Sequence, residues 1–300
     1  MRQAAIFICR GMGMASASRA KESLALRRLI VFLWMAPLIL SSCSSPGPEV
    51  TSLELSSLEL SPPEVASPGP GRQVIDRMIA AHGGMEKWRS APTVSFEVTV
   101  QPPGSVAHVT VEQGARRAYH DYPETGARMS WDGTQAWSEN WQYPVPPRFY
   151  ALVNFYFLNL PWVAADPGVI LSEPGTGRLW DDPTEYITVK MAFEPGVGDT
   201  PDDDYVLYID PASYLLKAAE YTVTGRPESN PPGILVYEEF TTVDGLTVPA
   251  KASVYGKQDR TFQRTRMARN WSFREPFDES RMVMPPGAVV DTFEFAGPEP

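Results

Sequence analysis

Cysteine is nearly missing from this chain. Only Cys9 and Cys43 occur among its 300 residues, and histidine is confined to three positions. So small a stock excludes a disulfide framework and a cysteine-built zinc site. The sequence also holds no His-x-x-x-His or Glu-x-x-His pair, no Gly-x-Ser-x-Gly elbow, no phosphate loop and no dinucleotide fingerprint. The chemistry those motifs support has no foothold here.

The titratable groups that remain are poorly placed for joint work. His82 sits beside two glycines with no ligand at the right spacing, so capping a helix and packing against Trp88 is its expected role. His108 and His120 fall in separate strands and would have to meet across a sheet to hold a metal. Glu238 and Glu239 alternate on a strand and should face opposite ways. The acidic run in "DTPDDDYVLYID" lacks the glycine and acceptor spacing of a calcium loop and reads as a solvated turn. No cofactor, metal or catalytic residue is expected, and the chain reads as a non-enzyme. A hydrolase built on His82 ranks well behind.

A long apolar run is also lacking. Leu29–Leu40, broken by Pro37, falls short of the roughly 20 apolar residues that a membrane span needs. It suits the centre of a secretory signal, with Arg27 and Arg28 as the positive flank. Small residues follow, and "LSSC" (Leu40 to Cys43) resembles the lipobox of bacterial lipoproteins. In that class the cysteine thiol takes diacylglycerol, the preceding bond is cut and the new amino terminus is acylated with a chain such as palmitate. Several acyl chains anchor stably where one is marginal. A plain signal peptide or an anchor helix, with Cys43 incidental, is the competing reading.

Removing residues 1–42 would take Cys9 with them and leave Cys43 consumed by lipid. Six of the 26 basic and one of the 36 acidic residues precede Cys43, leaving 20 against 35, a formal charge of −15. Nucleic acid and anionic headgroups are poor partners for such a surface. Ser44 follows the cysteine where aspartate would signal inner-membrane retention, which points to the outer membrane, facing the periplasm.

Residues 43–72 are rich in Ser, Pro, Glu and Gly, have no aromatic residue and carry the near-duplicate "SLELSSLEL". Such a composition buries too little to offset ordering entropy, and reads as a disordered tether. Residues 73–300 are then one well-cored domain, with the last ten or so residues loose.

The domain opens with a helix in which Val74, Ile75, Met78, Ile79 and His82 share a face, ending at Gly83. From Thr93 onward the alternation has period two: "TVSFEVTV", "VAHVTVEQ", "ARRAYHDY", "YITVKMAF", "DYVLYID", "LLKAAEYTVT", "ILVYEEFTTV", "LTVPAKASVY" and "RTRMARNWSF". Turn signals separate them, and Asp132-Gly133 and Asp244-Gly245 read as hairpin turns of one type. About ten strands joined by hairpins predict an antiparallel meander. Residues 146–169 break the pattern: an oily segment, helical in its early part and limited by Pro161, that must cover something oily.

In order, "AAHGGMEKWR", "TVSFEVTV", "WDGTQAW", an apolar segment ending "LPW", "LYIDPASYLLKAAEY", "EEFTTVDGLTVPAKASVY" and "PFDESRMVMP" resemble the LolA-like superfamily of cell-envelope proteins. The narrower likeness is to the branch whose first helix ends in His-Gly-Gly. This resemblance covers about Val74 to Pro285. It implies a mainly β fold with few helices: a strongly curved antiparallel sheet, an incomplete β-barrel, with helices covering the concave face. In named members the cavity between receives acyl chains. The expected cavity residues here are Trp131, Trp137, Phe149, Val153, Phe155, Phe157, Leu160 and Trp162. The function so expected is a lipid-anchored envelope protein that holds an acyl chain or similar hydrophobe, with a role in lipid or lipoprotein handling. The alternative is an interaction subunit that docks to an envelope protein partner and binds no ligand.

Overall fold

A computed structural model of the protein describes residues 68–200, 202–222 and 232–295. The signal segment, Cys43 and the tether up to residue 67 lie outside the described residues. The first helix, α1 (Pro70–Ala81), begins on a proline whose missing N–H costs nothing in a first turn. A short α2 (Met85–Arg89) follows. Ile75, Met78 and Ile79 are buried from α1 and Trp88 from α2. Burial of each is worth about 1.5–3 kcal/mol.

The strands are β1 (Thr93–Gln101), β2 (Ser105–Glu112), β3 (Ala118–Tyr122), β4 (Ala127–Trp131) and β5 (Ala136–Glu139), then, after an interruption, β6 (Val169–Leu171) and β7 (Gly175–Gly177). The remainder are β8 (Tyr186–Phe193), β9 (Tyr205–Ile209), β10 (Leu216–Tyr221), β11 (Gly233–Val243), β12 (Leu246–Gly256), β13 (Phe262–Ser272) and β14 (Val289–Val290). All fourteen join one antiparallel sheet in the order β14-β5-β4-β3-β2-β1-β13-β12-β11-β10-β9-β8-β6, with β7 also paired to β8. Two meanders thus meet where β1 pairs with β13. The sheet is curved and open: β14 and β6 end it without pairing to each other.

Bulges punctuate its middle. The register slips between β1 and β13, β12 and β13, β11 and β12, and β9 and β10. Each bulge adds local twist and bend. At Asn270, whose φ is 54°, the slip turns Trp271 inward, 4.5 Å from the ring of Phe96. Another slip corrects the expectation for Glu238 and Glu239. Both are exposed between inward-facing Tyr237 and Phe240, because the bulge cancels the alternation.

The chain leaves β5 near one end of the sheet and re-enters as β6 at the other. Its connection therefore has to cross the whole concave face. It does so as α3 (Pro147–Leu158) and α4 (Leu160–Val163), with Asn159 between them and Pro161 in the first turn of α4, where a proline cannot prolong α3 but can start a helix. Ala151, Leu152, Asn154, Phe155, Phe157 and Leu158 are all buried. A helix apolar on most sides is what a position inside a half-barrel requires.

The two Asp-Gly turns differ. Asp244 and Gly245 both have positive φ, 52° and 76°, as a two-residue hairpin loop demands. The other loop runs over four residues, with Trp131 paired to Ala136 and the Asp132 carboxylate accepting from the backbone of Thr134 and Gln135 at 2.7 Å each. Gly83 matters for a related reason. Its φ is 106°, it closes α1 with its N–H on Ala80 O at 3.1 Å, and an added Cβ would meet Gly245 O at 2.2 Å. Gly83→Ala should therefore lose about 2 kcal/mol or more of stability, from positive φ and from backbone overlap together. Urea unfolding followed by tryptophan fluorescence checks this; an unchanged midpoint would refute the close docking of helix end on hairpin.

Candidate functional site

Between the helical cover and the β8–β9 side of the sheet lies a cleft of about 1010 Å³. Phe157, Leu160 and Val163 from the cover face Met191, Phe193 and Tyr205 from the strands, and Val169 closes the β6 edge. Trp88 and Ala91 form the wall nearest β1. The volume and apolar lining are those of a small-molecule site.

Its mouth is charged. Arg116 donates to the Asp166 carboxylate at 2.9 and 3.2 Å. The same guanidinium lies 4.6 Å from the Phe155 ring centre and 5.2 Å from that of Trp88. Burial raises the Asp166 carboxyl above its ordinary range, with Arg116 opposing the rise. On the far side Asp199 accepts from Arg148 at 2.5 and 3.0 Å. The acidic loop is thus tied to α3, where the sequence suggested a solvated turn. Asp203, in the same loop, is 3 % exposed and accepts from Thr200 at 2.6 Å.

The eight expected cavity residues separate into groups. Phe157 and Leu160 line the large cleft, and Phe149, Val153 and Phe157 line a smaller cavity next to it. Phe155 and Trp162 are wholly buried behind the wall, where Trp162 stacks on Trp88 at 5.7 Å with planes 3° apart. Trp131 lies elsewhere, roofed by the Arg148 guanidinium 3.8 Å from its ring centre. Trp137 is a correction. It pairs with Ser130, and since Met129 and Trp131 point into the core, Ser130 and Trp137 point to the convex face. There the C-terminal segment covers them, through Val290 beside Trp137 and Arg281 O accepting from Ser130.

Met191, Phe193 and Val169 were not anticipated, although the alternation of "YITVKMAF" puts Val189, Met191 and Phe193 on one face. Arg116, which holds a positive φ of 56°, and Arg266, buried within β13, carried no signal at all.

The histidines have structural posts. Leu216 N donates to His82 Nε2 at 3.1 Å, so Nδ1 carries the proton and donates to Thr247 O at 2.7 Å. The ring meets Trp162 and Phe240 edge-on at 5.7 and 5.6 Å, rather than Trp88. His120 donates from Nε2 to Ala151 O at 3.1 Å under α3. His108 is exposed, 3.4 Å from the Glu97 carboxylate. It pairs with Asp121 while His120 pairs with Val109, so the two rings lie on opposite faces and do not meet. Among the described residues no group of acids, histidines and cysteines is placed to hold a metal.

No protein-family model matches the chain. No characterised protein matches it in sequence either. Solved structures with a similar backbone course include a LolA superfamily protein from Nitrosomonas europaea, 9 % identical with a TM-score of 0.48, covering 72 % of this chain and 99 % of that one. A DUF1329 family protein from Desulfovibrio piger is 11 % identical with a TM-score of 0.47, covering 72 % and 98 %. These likenesses concern the course of the backbone, and say nothing of a ligand or partner.

Burial pushes both His82 and His120 down to about 4 from an ordinary 6.5. The unfolded chain thus binds protons that the folded one refuses, and the stability these neutral rings contribute is present above pH 6.5 and lost as pH falls towards 4. Each should cost on the order of 2–3 kcal/mol by pH 4.5. Urea midpoints measured from pH 7.5 to 4.5 should fall steadily, and less so in a His82→Gln/His120→Gln protein; a flat profile would show that the rings are not buried neutral.

Proposed function

We infer that this is a lipid-anchored cell-envelope protein whose cleft holds an acyl chain or another single-chain hydrophobe. One observation carries this reading. A chain that commits two helices to covering its own curved sheet nevertheless leaves about 1010 Å³ between apolar walls. A covering segment whose only task was to complete a core would close that space, since apolar surface left open to water forfeits roughly 25 cal/mol per Å² of burial. The anchor is Cys43, joined to lipid at the cleavage point, and the expected tether, residues 43–72, runs into α1, which already begins at Pro70. The acidic balance of the remaining chain favours a domain that stands off an anionic surface and does not lie flat on it. The outer membrane, on its periplasmic side, is the proposed location, and the role is one of holding rather than of catalysis.

A second reading, a docking subunit, draws on the C-terminal segment, where Val283 and Val289 are 71 % and 67 % exposed. Such residues offer an envelope protein an apolar contact.

Mass spectrometry of organic extracts from the purified protein should find retained lipid, and a fluorescent fatty acid should bind. Val169→Trp, which puts bulk at the half-buried β6 edge of the cleft, should weaken that binding about tenfold with little change in unfolding midpoint. Neither retained lipid nor uptake, with a stable protein partner copurifying, would favour the docking reading. Separately, the wild-type chain should incorporate radiolabelled palmitate in cells and Cys43→Ser should not; equal labelling of both would remove the anchor at that residue.

A further inference from the structure

Beneath α3, adjoining the cleft, a smaller pocket of about 100 Å³ is lined by Tyr150, Val153, Phe157, Tyr205, Tyr221 and Arg266, among others. Tyr156, Phe157, Asp199, Thr200 and Tyr205 line both spaces, so the two adjoin across these residues. In this aromatic enclosure Arg266 is out of place. It lies on β13 between Val100 of β1 and Ala252 of β12, pointing inward, and is 7 % exposed. Its Nε donates to Asn154 Oδ1 at 3.0 Å, and its guanidinium carbon lies 5.2 Å from the Phe157 ring centre. Nη1 is buried with no hydrogen-bond partner among the described residues.

A guanidinium keeps its charge in a protein, even where burial acts against it, as here. A buried cation left without an opposite charge is strongly destabilising, so such a group persists where something else compensates it. Among the described residues Arg266 forms no ion pair. The carboxylates that line the same cavity are engaged: Asp199 by Arg148, and Asp203 with the Thr200 hydroxyl. Arg264, two residues away on the same face, also lines the cavity and adds a second positive charge.

We propose that Arg266 is the headgroup site for the carboxylate of a free long-chain fatty acid, whose tail passes Phe157 and Tyr205 into the large cleft. This rests on the cleft being a site for an acyl chain, and narrows the ligand from any hydrophobe to an acidic one. A planar guanidinium fork matches a carboxylate, and the pair is strongest where water is excluded. The space also suits it. About 100 Å³ is room for a carboxylate and its first methylenes beside Arg266.

The test compares ligands on the purified full chain: palmitate labelled with ¹³C at the carboxyl, hexadecanol, which has the same tail and no charge, and hexadecyl phosphate. Palmitate should bind about tenfold or more tighter than hexadecanol, and its bound carboxyl resonance should stay in the ionised position at a pH where free palmitate protonates. Arg266→Met should remove about tenfold or more of the palmitate affinity and leave hexadecanol unchanged. If palmitate and hexadecanol bind wild type equally, the headgroup site is wrong while the chain-binding cleft stands. If hexadecyl phosphate binds tighter than palmitate, the carboxylate assignment is wrong. If none of the three binds, both the headgroup site and the cleft reading fall. The palmitate-to-hexadecanol ratio on wild type decides the matter even should Arg266→Met fail to fold.

Discussion

One neutral imidazole joins the helical and β parts of this molecule. His82 ends α1, and its backbone carbonyl accepts from Thr247 N at 2.9 Å while its ring donates to Thr247 O and accepts from Leu216 N. A single residue thereby fixes the first helix to β12 and to β10. The ring then supports Trp162 of α4, and Trp162 supports Trp88 of α2. That stack is the back of the cleft wall, so the wall's position follows from a hydrogen-bond pattern that only the uncharged ring can make. The glycine next to it is part of the same constraint. Gly83 lets the chain turn away at positive φ and lets the helix end touch the Gly245 backbone, which any side chain would prevent.

The cover is held down by polar contacts along one edge of a helix. His120 of β3 donates to Ala151 O, Arg266 of β13 donates to Asn154 Oδ1, and Tyr237 of β11 donates to Phe157 O at 2.6 Å. Residues 151, 154 and 157 recur at intervals of three, so they lie along one side of α3. Three strands drawn from both meanders thus grip one helix. Phe157 O belongs to the last turn, where a carbonyl has no partner within the helix, and the Tyr237 hydroxyl supplies one. The apolar effect brings the helix to the sheet, but these donors decide which way it is turned, and hence that Phe157 faces the space between the two cavities.

The parts of this arrangement that repeat were open to a reader of the sequence. Alternation along "TVSFEVTV" or "YITVKMAF" is local, and so is the stop at His-Gly-Gly; both are where the structure has them. What failed is what depends on a second strand. A bulge opposite Lys251 puts Glu238 and Glu239 on the same side, and no pattern within "VYEEF" could announce it. Trp137 looked like its neighbour Trp131 in an aromatic cluster, yet one step along a strand is one change of face. Histidines 108 and 120 failed as a pair for the same reason of parity. The arginines were harder still. An inward-facing cation contradicts the pattern by which an inward position is recognised, so Arg266 could be found only from its surroundings.

Two arginines, Arg116 and Arg266, each carry a buried Nη1 without a partner among the described residues, Arg116 lining the large cleft and Arg266 the smaller pocket. Their settings differ in a way that separates structure from function. Arg116 has a carboxylate, Asp166, and two aromatic faces, so its remaining nitrogen is a small deficit in a site otherwise satisfied. It closes the mouth. Arg266 has one amide oxygen and one ring, with no carboxylate of its own among the described residues. Replacing a cation in such a place by an apolar side chain of similar volume would ordinarily stabilise the fold. Asn154 alone does not account for keeping it, since an amide can be held by many donors. A fold that retains a destabilising charge within an apolar enclosure, next to a cleft shaped for a chain, has the asymmetry of an amphiphile: charged at one end and greasy along the rest.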